Sequence, residues 1–95
     1  MRKPAQRIEI FLPTDDNWYG NYENNTVRLK LSCDLRDMQG NKYHMVSVWG
    51  NDDIGMDMVF KGPDGKTNAR AWYKKLLKMP KLNQKELLAM GFSWF

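Results

Sequence analysis

Between Tyr43 and Phe60 the chain reads YHMVSVWGNDDIGMDMVF, two alternating stretches separated by Gly50-Asn51-Asp52-Asp53. Before the break, His44, Val46 and Val48 alternate with Tyr43, Met45, Ser47 and Trp49. After it, Ile54, Met56, Met58 and Phe60 fall on one face and Gly55, Asp57 and Val59 on the other. A period of two marks half-buried strands, and a short Gly/Asn/Asp interruption marks a hairpin. The residues before this hairpin read as more sheet, and those after it as helix packed on that sheet.

Thr26 to Arg36 has the cleanest strand pattern. Val27, Leu29, Leu31, Cys33 and Leu35 line one face, and Thr26, Arg28, Lys30, Ser32, Asp34 and Arg36 the other. A wholly polar outer row predicts a sheet that is wet on one side, as antiparallel sheets often are. Arg7 to Leu12 alternates too, with Ile8, Ile10 and Leu12 opposite Arg7, Glu9 and Phe11. Pro13, which lacks an N–H for a ladder, is expected to end this first strand. Thr14 to Asn25 is a polar loop carrying Trp18, Tyr19 and Tyr22; these either cap the core or anchor a contact, since Trp and Tyr are enriched at interfaces. Met38-Gln39-Gly40-Asn41 turns the chain into the hairpin.

Gly62-Pro63-Asp64-Gly65 is the strongest breaker and closes the sheet. Ala69, Trp72, Tyr73, Leu76 and Leu77 then recur at helical spacing up to Met79, with Thr67 or Asn68 as the expected cap. Pro80 stops this helix. A second, short helix is expected from Asn83, which stands at capping-box spacing from Glu86; Leu87, Leu88 and Met90 give its apolar face, and Gly91 its left-handed terminator. The final Phe92-Ser93-Trp94-Phe95 is costly to leave in water, so it is expected to dock on the sheet or on a partner.

These elements predict one α+β domain over residues 1–95: an antiparallel sheet of three or four strands, with a basic amphipathic helix and a short C-terminal helix on one face. Ile8, Ile10, Val27, Leu29, Leu31, Val46, Val48, Trp72, Leu76 and Leu88 form the expected core. With 42% apolar and 13% aromatic residues, the chain is too rich in core-formers to be disordered. Cys33 is the one cysteine, which excludes an internal disulfide and a cysteine-based zinc site and makes a reducing, cytoplasmic setting the default. The basic N-terminus begins like a signal peptide, but Glu9 and Pro13 interrupt its apolar run, so an unprocessed, soluble protein is expected. No stretch is long enough to span a bilayer, and no membrane association is expected.

Little in the chain points to catalysis. The one histidine, His44, lies in mid-strand, where a structural role is the ordinary one. Asp52, Asp53 and Asp57 gather near the hairpin tip, but their spacing matches no calcium loop, and Asp and Asn are what tight turns select. A small metal-dependent enzyme at this turn is the weakest reading; no metal and no cofactor are expected. No phosphate-cradling glycine loop, nucleophile elbow or zinc-ligand pattern occurs.

The most distinctive feature is basic. Lys66, Arg70, Lys74, Lys75, Lys78, Lys81 and Lys85 occur without an acidic residue from Lys66 to Lys85, in a chain of formal charge +4. Arg70, Lys74 and Lys78 stand four apart and stack along one helix face, where like charges repel. This is either a solvated face or a docking face for phosphates or carboxylates. If the aliphatic rows face the helices, there is a second surface: Phe11, Arg28, Lys30, Tyr43 and Trp49 share the opposite sheet face, a mixture suited to stacking bases of a single strand.

The hairpin VWGNDDIGMDM, Val48 to Met58, resembles a motif in small accessory proteins of tailed bacteriophages. The resemblance carries no catalytic positions. It implies a phage or mobile-element protein acting on a host macromolecule, in the host cytoplasm. The expected function is therefore a non-enzymatic accessory protein that binds, and modulates or inhibits, a larger machine through a protein surface. The alternative is nucleic-acid binding through the lysine helix or the basic-aromatic sheet face. Candidate contact residues are Arg70, Lys74, Lys75, Lys78, Lys81, Arg28, Lys30, Trp18, Tyr19 and Tyr22.

Overall fold

The computed structural model describes residues 6–14, 26–50 and 55–94. The elements run β1 (Gln6–Pro13), β2 (Thr26–Arg36), β3 (Lys42–Trp49), β4 (Gly55–Phe60), α1 (Gly65–Leu77), α2 (Gln84–Met90) and β5 (Ser93–Trp94). The strands form one antiparallel sheet in sequence order. The α+β architecture is as expected, but the sheet has five strands rather than three or four. The fifth is the aromatic tail: Trp94 pairs with Met56 and Ser93 with Asp57, while Phe92 is buried.

The alternation of β2, β3 and β4 sets the core. Val27, Leu29, Leu31, Val46, Val48 and Met56 are buried on one sheet face, against Ala69, Tyr73 and Leu76 of α1. These three helical positions fall at i, i+4 and i+7, one stripe of a 3.6-residue period. The helix packs on β2, β3 and β4. Leu82, Leu87 and Phe92 complete the core from the C-terminal segment.

Several expectations are corrected. Ile8 and Ile10 pair with Leu31 and Leu29, yet they are 52% and 41% exposed. They lie on the expected face, but β1 is the outermost strand, and the helix packs over its inner neighbours. Leu88 is exposed and Leu87 takes its place in the core; Leu77 is exposed and Trp72 half-buried. The first helix begins at Gly65, capped by Asp64 without a side-chain hydrogen bond, rather than at Ala69 behind Thr67 or Asn68. It also ends two residues earlier, at Leu77.

Pro13 belongs to β1, paired with Thr26. Its carbonyl accepts from the Leu82 N–H at 3.0 Å, so it points away from β2. The N–H and C=O of one residue in an antiparallel strand share a side, so the N–H that Pro13 lacks falls at the free edge and no ladder bond is lost.

The remaining correction concerns β2. The β2–β3 register shifts between Ser32 and Leu35, leaving Cys33 and Asp34 opposite His44, a bulge with Asp34 at φ 60°. Beyond the bulge the phase of β2 reverses. Leu35 pairs with Tyr43 on the second face, and Asp34 turns to the helix side, the reverse of the expected placement. Asp tolerates the left-handed region better than most residues because its short polar side chain bonds locally. The second helix is built as expected: Asn83 Oδ1 accepts from the Glu86 N–H at 3.1 Å, and Gly91 terminates it at φ 112°.

Candidate interaction site

With Ala69, Tyr73 and Leu76 facing the sheet, α1 must turn Lys74, Lys75 and Lys78 to solvent, and all three are exposed, as are Lys81 and Lys85. Among the described residues none of these five lysines has a carboxylate partner, whereas Arg28, Lys42 and Lys66 each have one. The C-terminal helix dipole favours Lys74 and Lys75 in the last turn. It does not explain Lys81, which lies beyond the helix, and it opposes Lys85 in the first turn of α2.

Arg70 departs from the expected stack. Its guanidinium bonds to the Cys33 thiol on β2, so it does not stand as a free cation in line with Lys74 and Lys78. Burial nevertheless raises the thiol above its ordinary range, against the pull of Arg70 and Lys66. Cys33 is a buried core residue, as its position in the sequence implies.

Trp72 is held edge-on to Phe92, with ring centroids 6.1 Å apart and planes at 81°. The Lys75 ammonium lies 4.5 Å above its ring. Beside them is a shallow cleft of about 280 Å³ lined by Ala71, Trp72 and Lys75.

The second sheet face carries the expected basic-aromatic row. Phe11 pairs with Arg28, Arg28 with Trp49, and Trp49 with Gly55. Lys30 stands one row along, between Glu9 and Ser47. Phe11 is 60% exposed; Arg28 is half-buried, with Nη1 3.5 Å from Glu9 and Nε sequestered without a hydrogen-bond partner among the described residues. Trp49 donates from Nε1 to Asp57 Oδ1 at 3.0 Å and lies against Gly55, where a Cβ would stand 2.6 Å from the indole. Gly55→Ala should therefore displace the ring, break the Asp57 bond and cost about 1–3 kcal/mol, the usual range for overpacking. Faster hydrogen exchange at the Trp49 indole N–H checks this; an unchanged rate would mean the ring has room to move aside.

The bulge gathers a cluster that the sequence does not announce. His44 is buried and accepts the Asp34 N–H at Nδ1, 3.0 Å away, which leaves its proton on Nε2. Asp34 bonds Lys66 Nζ at 2.9 Å, and Lys42 Nζ lies 3.7 Å from its other oxygen. The Lys66 hydrogen bond, helped by Lys42, holds the Asp34 carboxyl below the usual carboxylate range. Burial, reinforced by Lys66, Lys42 and Arg70 against the opposing pull of Asp34, lowers His44.

Trp18, Tyr19, Tyr22, Asp52 and Asp53 lie outside the described residues. Their described flanks, Thr14 and Thr26, and Gly50 and Gly55, stand at one end of the sheet, where Leu82 bridges to Thr14. The chain therefore reaches the same rim from three directions, with Lys81 beside Leu82. Among the described residues no group of three His, Cys, Asp or Glu is placed to hold a metal, and no helix is long and apolar enough to cross a membrane. No known protein family, curated protein or solved structure matches the chain.

Proposed function

We propose that the protein is a non-enzymatic accessory module that docks on an acidic protein surface of a larger host machine, through the C-terminal half of α1 and the segment to Lys85, and so modulates or inhibits it. One observation carries this reading: Lys74, Lys75, Lys78, Lys81 and Lys85 are exposed with no carboxylate partner among the described residues, and local helix electrostatics accounts for only part of the set. The engagement of His44 Nδ1 with the bulge N–H supports a structural use of the one histidine. The resemblance of the hairpin to phage accessory proteins supports a host target.

Nucleic-acid binding is the second reading, favoured by the cross-strand row Phe11–Arg28–Trp49 on the second face. It is the weaker of the two, because Arg28 is already paired with Glu9 and one face of Trp49 is laid on Gly55.

Reversing Lys74 and Lys78 to Glu tests the leading reading. The variant should melt like wild type, since relieved repulsion and new helix pairs are worth only a few tenths of a kcal/mol each. Its capture of the partner from host extract should fall by about 100-fold or more, because like charges then meet across the interface. Capture at wild-type strength would show this face to be ordinary solvated surface. If the ligand is instead nucleic acid, each lysine lost should flatten the salt dependence of binding by roughly one unit of slope.

A further inference from the structure

We infer that the cleft between Ala71, Trp72 and Lys75 is the anchor of the docking face, taking one apolar side chain of an acidic peptide segment whose carboxylates meet Lys75, Lys74 and Lys78. This rests on the protein-docking reading and specifies the chemistry of the partner.

Interfaces draw most of their binding energy from a few aromatic anchors in small pockets ringed by polar groups. Trp72 is such an anchor in position: it meets Phe92 in a T-shaped contact, and it is half-buried rather than absorbed into the core. The cleft is shallow and open, so it suits a single side chain laid against Trp72 rather than an enclosed cofactor. Its walls are apolar at Ala71 and Trp72 and cationic at Lys75, so the occupant is an apolar group flanked by negative charge. Lys74 is adjacent in sequence and Lys78 one turn on, so a chain leaving the cleft towards the C-terminal end of α1 meets ammonium groups.

A nucleic acid fits this site less well. Base stacking uses a bare aromatic face, and here the Lys75 ammonium covers one face of the indole. Bidentate phosphate recognition is the province of arginine, and Arg70, the one arginine of α1, is engaged at Cys33. Lysines interleaved with an apolar notch match carboxylates beside an aliphatic side chain.

Three fluorescent probes test the inference by anisotropy: an octapeptide of Asp and Glu, the same peptide with one central Leu, and a single-stranded DNA oligomer. Wild type should bind the Leu-bearing peptide about tenfold tighter than the all-acidic one, the gain expected from burying one aliphatic side chain. Ala71→Leu, at an exposed helical position, puts a branched side chain into the cleft beside Trp72 and keeps every lysine. It should erase that advantage and leave the affinity for the all-acidic peptide unchanged. The Trp72 indole N–H resonance of wild type should shift with the Leu-bearing peptide alone. Equal binding of the two peptides to wild type overturns the cleft and leaves lysine docking standing. Failure of both peptides overturns both readings, and binding of the DNA in their place, if lost in Lys74→Glu/Lys78→Glu, assigns the face to nucleic acid.

Discussion

Leu29→Ala should lower the unfolding free energy by about 2–5 kcal/mol, the range for emptying a buried leucine site, whereas Ile8→Ala, one strand over, should cost about 1 kcal/mol or less, as expected at a half-exposed position. From sequence alone the two positions look equivalent, each an aliphatic residue on the apolar row of an alternating strand. Leu29 is fully buried between Ile10 and Val48 on the face that α1 covers. Ile8 pairs with the buried Leu31 but stands 52% exposed. Urea denaturation of both variants measures the difference, with unchanged slopes licensing the comparison. Equal costs would mean that β1 is covered as thoroughly as β2, against the packing of α1 over β2, β3 and β4.

That contrast shows what periodicity carries and what it leaves out. Alternation tells which side of a strand is apolar; it does not tell how far the covering layer reaches. A helix with its side chains is about 10–12 Å across, and strands are spaced about 4.8 Å apart. One helix therefore covers two or three strands, and a fourth lies outside its reach. Apart from Pro13, whose missing N–H suits an edge strand, the sequence of β1 holds nothing that distinguishes it from β2. By contrast, the caps of α2 are fully legible, because Asn83, Glu86 and Gly91 act through local backbone geometry that needs no tertiary partner.

The bulge is hidden for a related reason. Cys33 and Leu35 are both apolar with Asp34 between them, so the pattern satisfies either phase of the strand. Only the pairing with β3 shows that the phase changes there. Leu82 escapes notice because a lone leucine among Pro80, Lys81 and Asn83 has no periodic company; it is buried through its bridge to Thr14. The candidate site divides along the same line. The lysine run is readable as composition and spacing, and the second-face row as register. The diversion of Arg70 to Cys33 and the Trp72 cleft are products of packing, which spacing does not encode.

The second large effect is expected at His44. Burial lowers its pKa in the folded protein, so acid protonates the unfolded chain more readily than the folded one. Its contribution to stability is fully present above the unfolded value of about 6.5 and is lost as pH falls below that, through the lower folded value. Protonation at Nδ1 would also turn the acceptor of the Asp34 N–H into a donor facing a donor, which is why the bulge resists it. Asp34 acts lower on the scale: its carboxyl is likewise depressed, so its share persists down to about 4 and is lost below. Two acid limbs should therefore appear in unfolding free energy against pH, the first beginning near 6.5. His44→Leu keeps comparable bulk but removes the acceptor, leaving the part-buried Asp34 N–H unpaired at a cost of about 1 kcal/mol at neutral pH. In this variant the upper limb should vanish while the lower one remains. If the upper limb persists in His44→Leu, the acid sensitivity comes from another group, and the His44–Asp34 bond is not what holds the bulge against the start of α1.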